Sequence, residues 1–328
     1  MIKNLGYFVL PLKMEKMKTV QQIISTGIIL CIILCMGCSN YLANSLMKPR
    51  RQPLVKSPGD YGLPFQNIEF KSADGVNLKG WLIPGKTDKL IVVTHPMTFT
   101  KYGYSVKDQG MFKVTKIEVQ FLNTVKHLND AGYNVLMFDF RNHGESDAAN
   151  NGYSAVGLFE WQDVAGAMDY IQSNNALKHM KVGFVSHCMG ANSTIIAMSK
   201  AKEKFKDVTC LVAIQPVSAN VFTQCFVKNR YPSFARYYEG MNNKIKKETG
   251  YYFDAMSPKD YVKDVAAPVM YVQVEKDPWT TKADIESFYN NTLSEKKILW
   301  LEGNERFEGY NYFGNKPDEL LKFLKLYM

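Results

Sequence analysis

The chain has 328 residues, 46% of them hydrophobic, and a formal net charge of +9. That length and apolar content are enough for one large domain with a substantial core, and they exclude a disordered chain. Residues 1–56 hold eight Lys/Arg against Glu15 alone, a balance of +7, which leaves 32 Lys/Arg against 30 Asp/Glu, or +2, for the rest. A domain so evenly charged lacks the basic footprint of nucleic-acid recognition, so no nucleic-acid partner is expected.

The basic excess flanks an uncharged apolar run, Ile23 to Cys38 (IISTGIILCIILCMGC). Read from Met17, the stretch "MKTVQQIISTGIILCIILCMGCSN" resembles a bacterial lipoprotein signal peptide. That resemblance implies lipidation at Cys38, with Gly37 in the small position before it. Taken on its residues alone, the same run is an uncleaved membrane anchor, and its sixteen residues fall short of the ~20 needed for a spanning helix. Both readings make 1–38 a signal or anchor segment and place the chain at the bacterial cell envelope, tethered to the membrane through its N-terminus. Residues 39–61, rich in Pro, Gly and charge, are expected as a tether leading into a domain at 62–328.

Within the domain, strand-like runs are expected at Asn67–Lys71, Leu78–Ile83, Leu90–Thr94, Asn134–Phe140, Val182–Val185, Thr209–Ile214, Val269–Val274 and Ile298–Leu301. Helical periodicity runs through Ile117–Ala131, Leu158–Gln172, Met189–Ala201, Lys282–Asn291 and Pro317–Leu326. Such alternation predicts a mostly parallel eight-stranded sheet with helices on both faces. Residues 219–257 break the rhythm. Val221 to Met256 carries Phe222, Phe226, Tyr231, Phe234, Tyr237, Tyr238, Tyr251, Tyr252 and Phe253 but no clean strand. Inserted between the sixth and seventh strands, it is expected as a lid over the carboxyl ends of the sheet. Its rings either line a site for a small acyl or apolar substrate or simply pack the insertion down.

The chemistry centres on "KVGFVSHCMGANSTIIAM", Lys181 to Met198: a strand, a tight turn at Ser186-His187-Cys188-Met189-Gly190, and a helix of small residues. On this motif residues 62–328 resemble the α/β-hydrolase superfamily, whose nucleophile stands at the bend between strand and helix. The resemblance implies Cys188 as nucleophile, a feature shared with the dienelactone-hydrolase branch, and the Met189 N–H as oxyanion donor. In "THPMTFTKYG" Pro96 has no N–H, so Met97 is the candidate second donor. A thiol ionises more readily than a hydroxyl, and a helix N-terminus favours negative charge beside it. The simpler reading of Cys188 is a buried small apolar residue.

In "PVMYVQVEKDPWTT", Asp277 follows the seventh strand where the superfamily places its acid, with Glu275 as fallback. The histidine should follow the last strand, yet "LWLEGNERFEGYNYFG" puts Arg306 there. Arginine remains protonated and cannot serve as base. His95, closing the third strand, is the candidate base; Glu305 and Glu308 are others. His187 is expected to be structural, as are Asp139, Arg141 and Gly144 around His143, while His127 and His179 are expected on solvated surfaces. The segments "QPVSANVF", "HPMTFTKYG" and "RFEGYNYFG" also resemble uncharacterised bacterial members of the superfamily.

Cys31, Cys35 and Cys38 lie in the N-terminal segment and Cys188, Cys210 and Cys225 in the domain, with no metal-like spacing, so neither metal nor cofactor is expected. Two functional classes follow. One is a membrane-tethered hydrolase or acyl-transfer enzyme acting on an ester, thioester or other acyl substrate. The other is an impaired homologue that binds an acyl or lipid-like ligand, or a partner protein, without turnover.

Overall fold

The computed structural model describes residues 17, 24–26, 37–108, 115–230 and 236–328. Most of the segment expected as signal or anchor therefore lies outside the described residues, as do Tyr231 and Phe234 of the insertion. Among the described residues no helix is long and apolar enough to cross a membrane.

Eight strands form one sheet: β1 (Gln66–Lys71), β2 (Asn77–Ile83), β3 (Lys89–Thr94), β6 (Asn134–Phe138), β7 (Lys181–His187), β8 (Val208–Ile214), β9 (Val269–Val274) and β10 (Lys296–Leu301). Their order is β1-β2-β6-β3-β7-β8-β9-β10. β2 runs antiparallel to both neighbours, and every pairing from β6 to β10 is parallel. The sequence explains the positions. β6 and β9 are buried at every residue, as strands covered on both faces must be, whereas β1 alternates at the edge. Two short strands, β4 (Gly103–Tyr104) and β5 (Val119–Gln120), pair separately.

Helices α2 (Phe121–Asp130), α9 (Arg306–Asn315) and α10 (Asp318–Tyr327) pack together, and α3 (Trp161–Ser173) packs on α4 (Met189–Lys200), which runs into the short α5 (Lys202–Phe205). The insertion contributes α6 (Ala219–Arg230) and α7 (Tyr238–Thr249), and α8 (Lys282–Asn291) joins β9 to β10. This is the expected α/β architecture, with all eight strands found within a few residues of their predicted ends.

Residues 39–61 depart from the expected tether. Residues 37–47 are helical (α1), with Ala43 and Met47 fully buried against the domain. The Tyr153 hydroxyl donates to Asn44 Oδ1 at 2.5 Å, and Met47 O accepts from Ser154 N at 2.9 Å. Further along, Arg51 donates to the carbonyls of His143 and Gly144 at 3.2 and 2.7 Å. The Pro and charge that suggested a linker sit beyond the helix, while Leu42, Ala43, Leu46 and Met47 supply its apolar face at helical spacing.

A charge at the buried Ala43 position is incompatible with this docking. Ala43→Asp is expected to expose the Arg50–Arg51 bond to trypsin, with cleavage there at least about tenfold faster than in the parent, because local stability governs such cutting. Equal cleavage rates, followed by mass spectrometry, would show that α1 is not docked.

Candidate active site

The turn at Cys188 is strained by design of the backbone. Its φ of 49° and ψ of −113° lie outside the ordinary regions for a side-chain-bearing residue. The peptide is held on both sides: Cys188 N donates to Ile214 O at 2.8 Å, and Cys188 O accepts from Asn192 N at 3.0 Å in the first turn of α4. The helix can leave at this angle only because residue 190 is glycine. A Cβ there would lie 2.5 Å from Thr94 Oγ1 and 2.9 Å from His95 O. The consequence is a cysteine side chain lifted from the sheet into a cavity, beside the N-terminus of α4.

Asp277 follows β9 and is buried. Its Oδ1 accepts from Trp279 N at 2.9 Å, and its Oδ2 accepts from Gln273 Nε2 at 3.0 Å. Arg306 opens α9 and is also buried, and its guanidinium is fully engaged. Nη1 pairs with Asp277 Oδ2, Nη2 donates to Gln215 O at 2.5 Å, and Nε donates to the Tyr310 hydroxyl oxygen at 2.8 Å. Gln215, just past β8 with φ 52°, returns a bond from Nε2 to Arg306 O at 2.6 Å. Gly309 permits this approach of α9: a Cβ there would meet Gln215 Nε2 at 2.6 Å and Val274 Cγ2 at 2.8 Å.

Cys188 lies beside this cluster in the same cavity, close enough for its sulfur to act electrostatically on both Arg306 and Tyr310. Burial works against the charge of Arg306, but Tyr310, Asp277 and Cys188 together hold its pKa well above the ordinary arginine value. Burial drives the Tyr310 phenol well above its usual range, so it stands as a neutral hydroxyl beside a cation. Tyr310 was not singled out from the sequence. Its signal was the spacing Arg306 to Tyr310, one turn apart on a helix that the aromatic, glycine-bearing stretch "RFEGYNYFG" did not announce.

His95 is not brought to Cys188 as a base. Its Nδ1 bonds Pro96 O at 2.7 Å and its Nε2 accepts from Phe140 N at 3.1 Å, so both ring nitrogens are committed to backbone. His143 is held likewise, Nδ1 to Arg141 O at 2.7 Å and Nε2 accepting from Thr98 N at 3.1 Å. His187 Nδ1 bonds Thr94 O at 2.8 Å. Burial is the main cause that lowers the pKa of all three, His187 to about 4. His127 is half-buried, its Nε2 bonded to Gly314 O at 3.1 Å, and not on the solvated face expected of it; His179 is exposed. Glu275 and Glu308 are exposed, and neither they nor Glu305 line the cavity.

The backbone N–H groups of Met97 and Met189 have no partner among the described residues, and both residues line the cavity with Cys188. The cavity encloses about 500 Å³. Its walls come from α1 (including Cys38, Leu42 and Leu46), the loop at 96–99, α6 and the start of α9. Of the seven insertion rings among the described residues, Phe222 and Phe226 line it; Trp279, tilted against Phe222, and Phe307, edge-on to Trp279, do as well. Among the described residues Arg306 is the one charged side chain in the lining. Among the described residues no group of His, Cys, Asp and Glu is placed to hold a metal.

Residues 115–303 match the family model described as alpha/beta hydrolase fold. The chain is similar to the uncharacterised protein YqkD of Bacillus subtilis (strain 168), 19% identical over 316 residues, which covers 88% of this chain and 91% of that protein. Among solved structures it resembles the esterase Pf2001 of Pyrococcus furiosus at 21% identity, with a TM-score of 0.66 over 86% of this chain and 98% of the other. It also resembles Est1E of Butyrivibrio proteoclasticus, solved with ferulic acid, at 16% identity and a TM-score of 0.54 over 78% and 97% of the two chains.

The buried imidazoles set an acid limit. Unfolded, His187 titrates near 6.5; folded, only near 4. Between those values the unfolded chain binds the extra proton, so stability is fully present above about 6.5 and falls as pH drops toward 4. Each unit is worth about 1.4 kcal/mol, so this residue alone contributes a loss of about 3 kcal/mol by the end of that window. The urea midpoint is expected to be lower at about pH 5 than at about pH 7.5. A midpoint flat across that range would contradict imidazoles buried in the neutral form.

Proposed function

The chain belongs to the α/β-hydrolase family, and we propose that on this scaffold it is a hydrolase or acyl-transfer enzyme that opens an ester, thioester or other acyl bond through a covalent Cys188 intermediate. The observation that carries the reading is the strained backbone at Cys188, which lifts a thiol into a mostly apolar cavity that Met97 and Met189 also line, their backbone N–H groups without a partner among the described residues. A strained apex is costly to maintain, about 1–3 kcal/mol, and such strain gathers at working sites.

In this reading the ionised sulfur attacks the acyl carbonyl, and the carbonyl oxygen takes up negative charge against the two N–H groups. Arg306 puts a fixed cation beside the sulfur and offsets the desolvation that a buried anion suffers. Asp277 holds that cation in place, as it would hold a histidine. The apolar walls fit an acyl group or a similarly apolar ligand. The N-terminal segment, by lipid on Cys38 or as an uncleaved anchor, tethers the domain to the envelope membrane; its basic flanks and apolar run support this part of the proposal.

A second reading, binding without turnover, is favoured by one feature: no histidine lines the cavity with Cys188 among the described residues. The full-length protein in detergent, given 4-nitrophenyl acyl esters, separates the two. Sustained release of 4-nitrophenol, lost by at least about a thousandfold in Cys188→Ala, is the expected result. A single stoichiometric burst with no further release favours the binding reading, and equal turnover in Cys188→Ala removes the nucleophile.

A further inference from the structure

We propose that Tyr310 is the proton donor and acceptor of the reaction at Cys188, with the Arg306 guanidinium holding the phenolate that forms in between. The proposal rests on the reading of Cys188 as nucleophile and supplies the group that reading lacks. Arg306 Nε donates to the Tyr310 oxygen at 2.8 Å, so the phenol accepts on one side and its own O–H proton is directed elsewhere. Tyr310 and Cys188 line the same cavity, and with the Arg306 bond on one side of the phenol oxygen, its proton is left to point into the space that holds the sulfur. Tyr310 is 3% exposed, with Phe99 and Phe307 rings packed at 5.7 and 5.9 Å, so the hydroxyl has no freedom to swing to solvent.

The cycle balances with these groups and water alone. The Cys188 sulfur, ionised, forms a bond to the acyl carbon, and the carbonyl electron pair moves to oxygen. When the C–O bond of an ester breaks, the departing alkoxide takes the Tyr310 proton and leaves as alcohol. The negative charge that began on sulfur now sits on the phenolate, paired with Arg306. Water then gives a proton to the phenolate as its oxygen attacks the thioester carbon. Collapse expels the Cys188 sulfur with its electron pair and releases the acid. Tyr310 ends protonated and Cys188 ionised, as at the start.

The physical chemistry suits both halves. Toward an alkoxide, a phenol is a sufficiently strong acid; toward water, a phenolate is a stronger base than the imidazole it replaces. A buried phenolate is normally prohibitive, but here it forms against a cation already fixed by Asp277 and the Gln215 carbonyl. The cluster thus does with two residues, one turn apart on α9, what a histidine does alone.

The test compares parent, Tyr310→Phe and Cys188→Ala in the full-length protein with 4-nitrophenyl and alkyl esters of the same acyl group. A 4-nitrophenolate leaves without a proton, so the Tyr310→Phe burst with that ester is expected within about threefold of the parent. Steady turnover should fall by ~10²–10⁴-fold, with the acyl adduct accumulating on Cys188 by mass. Attack on the alkyl ester should fall as well. A second variant guards against misfolding: 3-fluorotyrosine at position 310 keeps shape and hydrogen bonds but lowers the phenol pKa. It is expected to move the pH profile of deacylation and leave the melting temperature unchanged. Parent-like turnover in Tyr310→Phe, or an unmoved profile with 3-fluorotyrosine, overturns the proposal while a Cys188-dependent burst still upholds the nucleophile. A parent that is acylated once and never released overturns it too. Turnover that survives Cys188→Ala sinks the underlying reading instead.

Discussion

The structure around the site depends on one constraint: a permanent cation, Arg306, sits fully inside the protein. Leaving such a charge unpaired costs several kcal/mol, so every polar edge of the guanidinium must be answered. The answers come from separate parts of the chain: the carboxylate after β9, the carbonyl after β8 and the phenol one turn along α9, with the sulfur at the start of α4 near enough to favour the charge. The ends of three parallel strands are thereby drawn to one point. The arrangement has its own cost. Gln215 adopts a positive φ, and Gln215 Oε1 and Gln273 Oε1 are buried without a partner among the described residues. A neutral imidazole would demand less of its surroundings, and correspondingly fix less.

Histidine has not left this end of the sheet; it has changed employment. His95, His143 and His187 bond backbone atoms of residues 94, 96 and 98, the loop that carries the Met97 N–H. In His95 and His143 the Nε2 atom accepts from a backbone N–H, which requires that nitrogen to be unprotonated and sends the proton to Nδ1. Burial supplies that condition by disfavouring the charged ring. The imidazoles therefore act as neutral struts for the loop, and charge is handled by the Arg306 cluster.

The sheet was legible because central parallel strands are continuous apolar runs, and the elbow because a tight Gly-containing turn between strand and helix has few other uses. The position of Asp277 and the substitution by Arg306 could be read from strand order alone. What could not be read depended on side chains meeting across the fold. Both ring nitrogens of His95 are taken by backbone of the residue beside it and of another strand's end, which no spacing reveals. Tyr310 matters only once residues 306–315 are known to be helical, and that stretch carries two glycines and no side-chain cap. The docking of α1 was hidden for the opposite reason: its four apolar residues are an unremarkable pattern until a groove is there to receive them.

That docking changes what the cavity is. One wall is formed by the end of the apolar N-terminal run and the residues that follow it, so the site is not walled by the inserted helices alone. The described lining is mostly apolar, and its charged side chain, Arg306, is paired with Asp277, so the two leave little net field to draw an anion from solution. Entry of a ligand is then governed by removal of apolar surface from water, and charge matters only after entry. In the proposed reaction, negative charge developing near Cys188 would meet the Arg306 cation and the N–H groups of Met97 and Met189, which line the same cavity. In a site closed to water, donors fixed in advance are worth far more than the same donors in solvent. The ion pair, costly as it is to bury, gives the cavity a polarity that appears only when charge is created inside it.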